Sequence, residues 1–493
     1  MSRPPDNLVT LLVGRWVADG HGDREAVADE RGRWTFAELE DAARRAAGGL
    51  RAAGVAPGDR VLLALRDGRP WVQAFLGAAA LGAVAVPADP TEPERLALLA
   101  EDCAPAVVVS AEEEPPPGRV VRPEELDAGA PADVAGVAAH DLAYLIYSSG
   151  STGRPKGVMH GHGDMRTGIA TYAAEVLGLG PGDRCHSMAR LFTSLGFGNG
   201  FFRVIGSGAT AVLTGPRPSP RGVLETVARE GVTVLSAVPT FWLQLARFLE
   251  RHPDPGALAT VRLAVSSGDS LPGAVAERLR DVTGVELIEG LGCSECSNIV
   301  ISTRPGEPFR PGVLGRPVAG VDVKLAGDDG APVARGEPGR LWIRSPSNTS
   351  GYWRREDETR ELVRGDWIAM GDTLMEEEDG TLRHLGRSDD LFKVDARWVS
   401  PSQVEGALLG HPSVAEAAVI GVDDAEGLTR PAAFVVLAEG AAQDGLAEDL
   451  RRHVARELAP HMAPRTVTVL ASLPRLPSGK LDRRRLRPDP PGA

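Results

Sequence analysis

Four short apolar runs constrain the fold of this chain more than any other feature: TAVLT from Thr210, VTVLSAVP from Val232, VRLAVSSG from Val261 and VELIEGLG from Val285. Helix-like segments near residues 220 to 230, 240 to 251 and 272 to 282 separate them, and strands that alternate with helices predict a largely parallel sheet. The rhythm also occurs earlier. Thr35 and Glu38 form a capping box for a helix whose Phe36, Leu39, Ala43, Ala46 and Leu50 recur at steps of three and four, and Gly54 ends it. A strand from Arg60, a helix from near Pro70 and a strand from Ala83 follow. Several of the runs end in Gly/Ser-rich turns, the place where an open α/β sheet holds its ligands.

At 493 residues the chain is too long for one ordinary core, and its 43 % hydrophobic content suffices for two or more domains. After about Pro317 the strands shorten and turn signals multiply (VDVKLAGDDGAPV, GRLWIRS), which predicts a β-rich subdomain. From about Asp390, AEAAVIGVDD, RPAAFVVLAEG and the amphipathic LAEDLRRHVAREL suffice for a small α+β domain. The Pro/Glu/Ala-rich stretch from Ala111 to Asp141 reads as a surface connection. No internal repeat or heptad run is visible.

A net charge of −13 argues against nucleic-acid or anionic-membrane partners, which require a positive footprint. The stretch WVQAFLGAAALGAVAVPA from Trp71 is Ala/Gly-rich and runs into proline, so a buried helix followed by a strand fits it better than a membrane span. The first residues lack the pattern of a signal peptide, and the expected location is cytoplasmic. Four cysteines build no disulfide framework, and Cys293 and Cys296, a lone CxxC without a second pair, read as pocket or core residues. His160 and His162 form an H-x-H without an apparent third ligand, so a metal site is not expected there.

One loop stands apart. In YSSGSTGRPKG, Tyr147 to Gly157, an apolar strand delivers glycines, hydroxyls and one lysine, Lys156, a combination that suits a polyphosphate: backbone N–H groups approach the oxygens, hydroxyls donate and the ammonium neutralises charge. It is not a Walker loop, because Pro155 precedes Lys156 and Gly157 follows it. The other Gly-Lys pair, Gly479 and Lys480, lacks the required upstream glycine. Neither Gly290-Leu-Gly292 nor Gly196-Phe-Gly198-Asn-Gly200 completes a dinucleotide fingerprint. The plain alternative is a flexible surface turn.

Taken whole, YSSGSTGRPKGVMH resembles the phosphate-loop signature of the adenylate-forming enzymes, the superfamily of acyl-CoA synthetases, peptide-synthetase adenylation domains and luciferases. Further motifs follow in that family's order: GLGCSE (Gly290 to Glu295), GRLWIRSPSNTSGYW (Gly339 to Trp353), WIAMGD (Trp367 to Asp372), GRSDD (Gly386 to Asp390) and PSGKLDRR (Pro477 to Arg484). RLFTSLGFGNG, AVPTFW, SSGDSLP and GRSDDLFKV are similar to benzoate-CoA ligases in particular. The resemblance implies an α/β fold with a large N-terminal domain over residues 1–388, containing α/β sheets and the β-rich subdomain. A small mobile α+β C-terminal domain over 389–493 would turn about a hinge at Asp389.

The resemblance also implies roles. ATP would be held by Ser148, Ser149, Gly150, Ser151, Thr152, Gly153 and Lys156 at its phosphates, by Gly268, Asp269, Gly290, Gly292 and Ser294 beside them, and by Asp372 and Arg387 at the ribose. Asp372 suits a ribose because a carboxylate accepts two hydrogen bonds. Glu295 would hold Mg²⁺, a hard cation that takes oxygen, and Lys480 would neutralise charge as the acid attacks the α-phosphate. Ser194, Leu195, Phe197, Ser267, Leu291, Cys293 and Asn298 would line the acid pocket, apolar walls with hydrogen-bonding capacity for an aryl acid bearing a polar substituent. Each of these has a plainer reading as core, turn or solvated surface.

The implied reaction is ATP-dependent activation of a carboxylic acid, such as a substituted benzoate, to an acyl-adenylate, followed by transfer to CoA. The alternative acceptor is a carrier-protein thiol, an amine or another nucleophile. Two departures matter. Leu195 stands where such ligases commonly carry tyrosine, and KVDARWVSP, Lys393 to Pro401, has Asp395 and Ala396 where the family has serine and glycine, which narrows the expected thiol channel.

Overall fold

The structure, a computed structural model, describes residues 6–116, 118–149, 155–215, 219–327, 330–395, 397–424, 426–438, 440–475 and 481–487. Two sheets and the helices between them form the large N-terminal part. The first runs in the order Val120–Val121, Val107–Ser110, Arg60–Ala64, Val84–Ala88, Leu142–Ser149, Pro155–Gly161, parallel until its last pair. The second has a parallel centre, in which Leu287–Cys293, Leu263–Ser267, Val234–Ala237, Arg184–Ser187, Thr210–Val212 and Glu25–Asp29 lie side by side. The predicted helices between these strands form at Pro220–Glu230, Pro239–Arg251 and Gly273–Thr283.

The Ala/Gly-rich stretches are buried for a steric reason. Helix Phe36–Ala52 opens on the predicted capping box, with Glu38 N–H donating to Thr35 Oγ1 at 3.2 Å and Thr35 N–H to Glu38 Oε2 at 2.8 Å. It crosses helix Arg69–Leu81 where Ala46 faces Gly77, and a Cβ on Gly77 would overlap the Ala46 methyl. Small residues thus let two backbones approach closely inside the core. Trp71 and Phe75 of the second helix stack at 5.3 Å and meet Phe197 and Phe201 edge-on, which makes this helix the centre of an aromatic cluster.

The stretch from 111 to 141 is more than a surface connection. Val120–Val121 adds an edge strand to the first sheet, and Leu126 and Ala132 are buried against helix Phe36–Ala52, whose Gly48 and Gly49 leave room for the backbone of residues 125–130. Its Pro/Glu-rich composition concealed these few anchors.

After Asn298–Ser302 the second sheet continues antiparallel through Val313–Pro317, Leu382–Arg387, Trp367–Glu376, Pro338–Arg344 and Asp322–Ala326, which is the predicted β-rich part. Asp389 lies exposed in the turn directly after Leu382–Arg387. Beyond it come a hairpin (Phe392–Val394, Arg397–Val399), helix Pro401–Gly410, strands Val414–Asp423, Thr429–Leu437 and Thr466–Val469, and helix Leu446–Glu457, with a core of their own. This unit docks through helix Pro401–Gly410 on helix Gly273–Thr283, and Arg247 Nη2 donates to the Val414 carbonyl at 2.8 Å.

Candidate active site

The phosphate-loop candidate begins where Leu142–Ser149 leaves the first sheet and ends where Pro155–Gly161 returns antiparallel, with Ser148 opposite Lys156. Gly150, Ser151, Thr152 and Gly153 lie outside the described residues, as does the Ser149 side chain. The returning strand takes a third partner, since Met159 N–H donates to the Gly351 carbonyl and Trp353 N–H to the Gly157 carbonyl. That pairing brings Tyr352 beside Lys156. Lys156 Nζ stands 5.2 Å from the Tyr352 ring centre, and the Tyr352 hydroxyl donates to Glu295 Oε1 at 2.8 Å. Burial, reinforced by the Glu295 charge, pushes the Tyr352 phenol far above its ordinary pKa, so it stays a neutral donor.

Glu295 sits in the tight turn Ser294–Cys296 between two paired strands, Leu287–Cys293 and Asn298–Ser302. The hairpin is closed by close approach: a Cβ on Gly292 would lie 2.6 Å from the Asn298 carbonyl oxygen. Two neighbours fix the turn. His160 Nε2 meets the Ser294 carbonyl at 2.7 Å, and Thr349 N–H donates to the Glu295 carbonyl at 2.7 Å. The His160 Nδ1 is 2.9 Å from Asp164, so both ring nitrogens are engaged by protein. His162 accepts a bond from Leu8 N–H, and burial lowers its pKa to about 4. The His162 Nε2 has no partner among the described residues. Among the described residues no group of three His, Cys, Asp or Glu side chains is arranged to hold one. Cys293 and Cys296 are free thiols; their mutual hydrogen bond and burial hold the Cys293 thiol well above its ordinary pKa.

A second polar group forms across the sheet. Asp372, on Trp367–Glu376, lies opposite Arg387 and accepts from its Nη1 at 3.3 Å, while Asp372 Oδ1 is 3.2 Å from His384 Nε2. His384 Nδ1 in turn meets Ser270 Oγ at 2.6 Å. Gly371 leaves the space that Arg387 fills, since a Cβ there would be 2.6 Å from its Nη2. Ser270 belongs to the turn after Leu263–Ser267, which Gly268 opens with a φ of 98° and Asp269 continues as an exposed side chain. The sequence reading missed His384 and Ser270. Their one signal is proximity to motif residues, Ser270 beside Asp269 and His384 three before Arg387.

The acid-pocket candidates come from three segments, residues 194–197, 267 and 291–298. Ser294 Oγ donates to Ser194 Oγ at 3.0 Å, and Leu195 lies 3.5 Å from where a Cβ on Gly268 would sit. Leu291 and Cys293 are half-buried on the strand that leads to Glu295, next to Gly290. Ser267 and Asn298 are buried with side-chain polar atoms that meet no partner among the described residues. Phe197 is packed in the aromatic cluster, against Trp71, Phe75, Tyr144, Phe201 and Phe202. Lys480 lies outside the described residues. The segment after it is anchored: the Arg483 guanidinium pairs with both oxygens of Glu405 and lies 3.4 Å from Asp390.

Residues 14–353 match the family model of the AMP-binding enzymes, and residues 403–480 match that of the AMP-binding enzyme C-terminal domain. The chain belongs to the AMP-binding enzyme family. This AMP-binding enzyme is 35 % identical to the benzoate–CoA ligase of Thauera aromatica, over 98 % of its own length and 95 % of that protein's. It is 36 % identical to the anthranilate–CoA ligase of Pseudomonas aeruginosa, over 87 % of each. Among solved structures it resembles the anthranilate CoA ligase AuaEII in complex with anthranoyl-AMP, with a TM-score of 0.89 at 32 % identity over 96 % of this chain and 95 % of that one. A benzoate CoA ligase from Burkholderia xenovorans LB400 gives 0.88 at 33 % identity, over 98 % and 99 %.

Proposed function

We propose that this AMP-binding enzyme activates an aryl carboxylic acid with ATP, giving an aroyl-adenylate and pyrophosphate, and passes the aroyl group to the thiol of CoA with release of AMP. The observation that carries this is that residues of the ordered motifs come together as two hydrogen-bonded polar groups. Lys156, Tyr352 and Glu295 form one, with Ser294 beside Glu295 bonded to Ser194, and Asp372, His384 and Arg387 form the other.

The roles follow from the chemistry of each group. Lys156 and the loop hold phosphate oxygens. Asp372 accepts from the ribose hydroxyls, its carboxylate oriented by Arg387 and by the Ser270–His384 pair. Glu295 fits Mg²⁺: only Oε1 of its carboxylate receives a side-chain hydrogen bond among the described residues, and the donor is a neutral hydroxyl. The ion supplies charge neutralisation at the phosphates when bound. Lys480 neutralises the developing charge from the C-terminal domain, residues 389–493, which turns about Asp389 between the two steps.

CoA is the favoured acceptor. A second reading, transfer to a carrier-protein thiol, draws on two observations. The p-hydroxybenzoic acid–AMP ligase FadD22 of Mycobacterium tuberculosis is 33 % identical over 98 % of this chain and 69 % of its own length. The hairpin at KVDARWVSP also departs from the ligase pattern, its left-handed residue being Asp395 with a φ of 50°. No described helix is long and apolar enough to cross a membrane, and action in the cytoplasm, beside ATP and CoA, is part of the proposal. Pyrophosphate exchange over a panel of acids, with product masses measured with and without CoA, tests both readings. Adenylate that persists despite CoA would favour the second.

A further inference from the structure

The segment that carries Ser194, Leu195 and Phe197 leaves the second sheet after Arg184–Ser187, yet it is anchored on the first. Asp67 makes the anchor. It stands in the turn between strand Arg60–Ala64 and helix Arg69–Leu81, with its side chain 7 % exposed. Its Oδ1 accepts from Leu191 N–H at 3.2 Å and its Oδ2 from Arg190 Nη1 at 3.3 Å. The same Nη1 donates to the Thr214 carbonyl, just beyond strand Thr210–Val212, at 2.8 Å. A buried carboxylate is costly unless it is paired and hydrogen-bonded, and here one side chain binds both a guanidinium and a backbone N–H of the same segment. Burial pushes the Asp67 pKa up to about 6 against the pull of Arg190 and Leu191, so the pair is charged at neutral pH.

A short run of bonds carries this anchor to the acid-pocket candidates. The Arg190 carbonyl accepts from Thr193 N–H at 2.9 Å and from Thr193 Oγ1 at 2.7 Å. Thr193 Oγ1 accepts in turn from Gly196 N–H at 3.2 Å and caps the helical turn Ser194–Phe197. That turn sits directly on the anchored residues: a Cβ on Gly196 would lie 2.2 Å from the Arg190 carbonyl oxygen. Beyond it, Ser294 Oγ donates to Ser194 Oγ at 3.0 Å, and Phe197 packs on Trp71 and Phe75 of the helix that follows Asp67. A second pair meets the same turn. Asp29, on Glu25–Asp29 of the second sheet, accepts from Arg69 Nε at 3.0 Å and Arg69 N–H at 2.8 Å, and its side chain is also 7 % exposed. It joins the two sheets as Asp67 does, but through a strand that bears no acid-pocket candidate.

We propose that Asp67, through its pair with Arg190, is a positioning residue for the acid: it fixes where Ser194 and Leu195 stand and so sets affinity for the acid without touching it. This rests on the adenylation reading above, which assigns Ser194, Leu195 and Phe197 to the acid. Removing the charge of Asp67 leaves the Arg190 guanidinium with the Thr214 carbonyl, and the helical turn loses its fixed place beside Ser294. The groups assigned to ATP are carried by other strands, Lys156 by Pro155–Gly161 and Asp372 by Trp367–Glu376, so the effect falls on the acid.

The test is acid-dependent pyrophosphate exchange by the full-length enzyme with the most active acid of an aryl-acid panel. Wild type, Asp67→Asn, Arg190→Gln, the double variant and Asp29→Asn are compared. Asp67→Asn is expected to raise the KM for the acid about 10-fold and to leave the KM for ATP within about 2-fold. Arg190→Gln carries the same expectation and decides the matter should Asp67→Asn not fold. The double variant should match Arg190→Gln rather than multiply the two losses, because the residues act as one unit. Asp29→Asn should leave the KM for the acid within about 2-fold. An unchanged KM for the acid in Asp67→Asn would overturn the inference while leaving adenylation intact. Equal rises for acid and ATP, or the same rise in Asp29→Asn, would reduce the pair to joining the sheets and overturn it too. No exchange with any acid in the wild type would overturn both readings.

Discussion

The Tyr352 hydroxyl donates to Glu295 Oε1 at 2.8 Å, joining the end of the Gly339–Trp353 motif to the tight turn that carries the acid. The bond orients one carboxylate oxygen and leaves the other for a cation. Tyr352→Phe is expected to raise the Mg²⁺ concentration needed for half-maximal exchange by about 10-fold, one charged hydrogen bond's worth. Glu295→Gln, which removes the charge itself, is expected to lower kcat by about 100-fold or more. Exchange rates measured against Mg²⁺ check both, and an unchanged Mg²⁺ dependence in Glu295→Gln would remove its assignment.

His384 reaches Asp372 on one side and Ser270 on the other, at 3.2 and 2.6 Å. Replacing it frees the Asp372 carboxylate to turn away from the ribose that the proposed function assigns to it. In His384→Ala the KM for ATP should rise about 10-fold, while the KM for the acid moves much less. Equal rises in both would mean that His384 supports the fold and not the nucleotide.

Glu289 is fully buried, accepting from Leu271 N–H at 2.8 Å through one oxygen while the other has no partner among the described residues. Burial pushes its pKa from 4.5 to about 8, with the Asp269 charge a lesser contribution of the same sign. The folded protein therefore binds one proton more than the unfolded chain between these values. The contribution to stability is fullest below pH 4.5 and is lost as pH rises through about 8, a change on the order of 4 kcal/mol. Glu289→Gln is neutral at every pH. Unfolding free energies of the two proteins from pH 5 to 9 should show the wild type losing ground steadily to the variant, and a constant difference would contradict the buried neutral acid.

Gly77 faces Ala46 at the crossing of helices Phe36–Ala52 and Arg69–Leu81 with no room for a side chain. Gly77→Val should destabilise the protein by about 3 kcal/mol by forcing the helices apart. Denaturant unfolding checks this, and a loss below about 0.5 kcal/mol, the range of ordinary surface changes, would contradict the close crossing.

Local signals carried most of the fold. The capping box at Thr35 and Glu38, the strand–helix alternation from Thr210 and the turns at Gly54 and Gly268 depend on neighbours a few residues away, and the structure has them where the sequence places them. Long-range facts were less visible. The burial of Leu126 and Ala132 depends on Gly48 and Gly49, some 80 residues earlier, and the Ser270–His384–Asp372 chain joins residues more than 100 apart. Ordered motifs made Glu295, Asp372 and Lys156 legible, but their partners Tyr352 and His384 emerge only once strands pair.

The central claim is that this enzyme adenylates an aryl acid and hands it to CoA. Mass spectrometry of the products formed from ATP, Mg²⁺, CoA and the panel of aryl acids tests it most directly. The account predicts an aroyl-CoA with AMP and pyrophosphate in equal amounts, and loss of adenylate and thioester together in Lys480→Ala. Absence of any acid-dependent pyrophosphate or thioester, or full activity in Lys480→Ala, would contradict it.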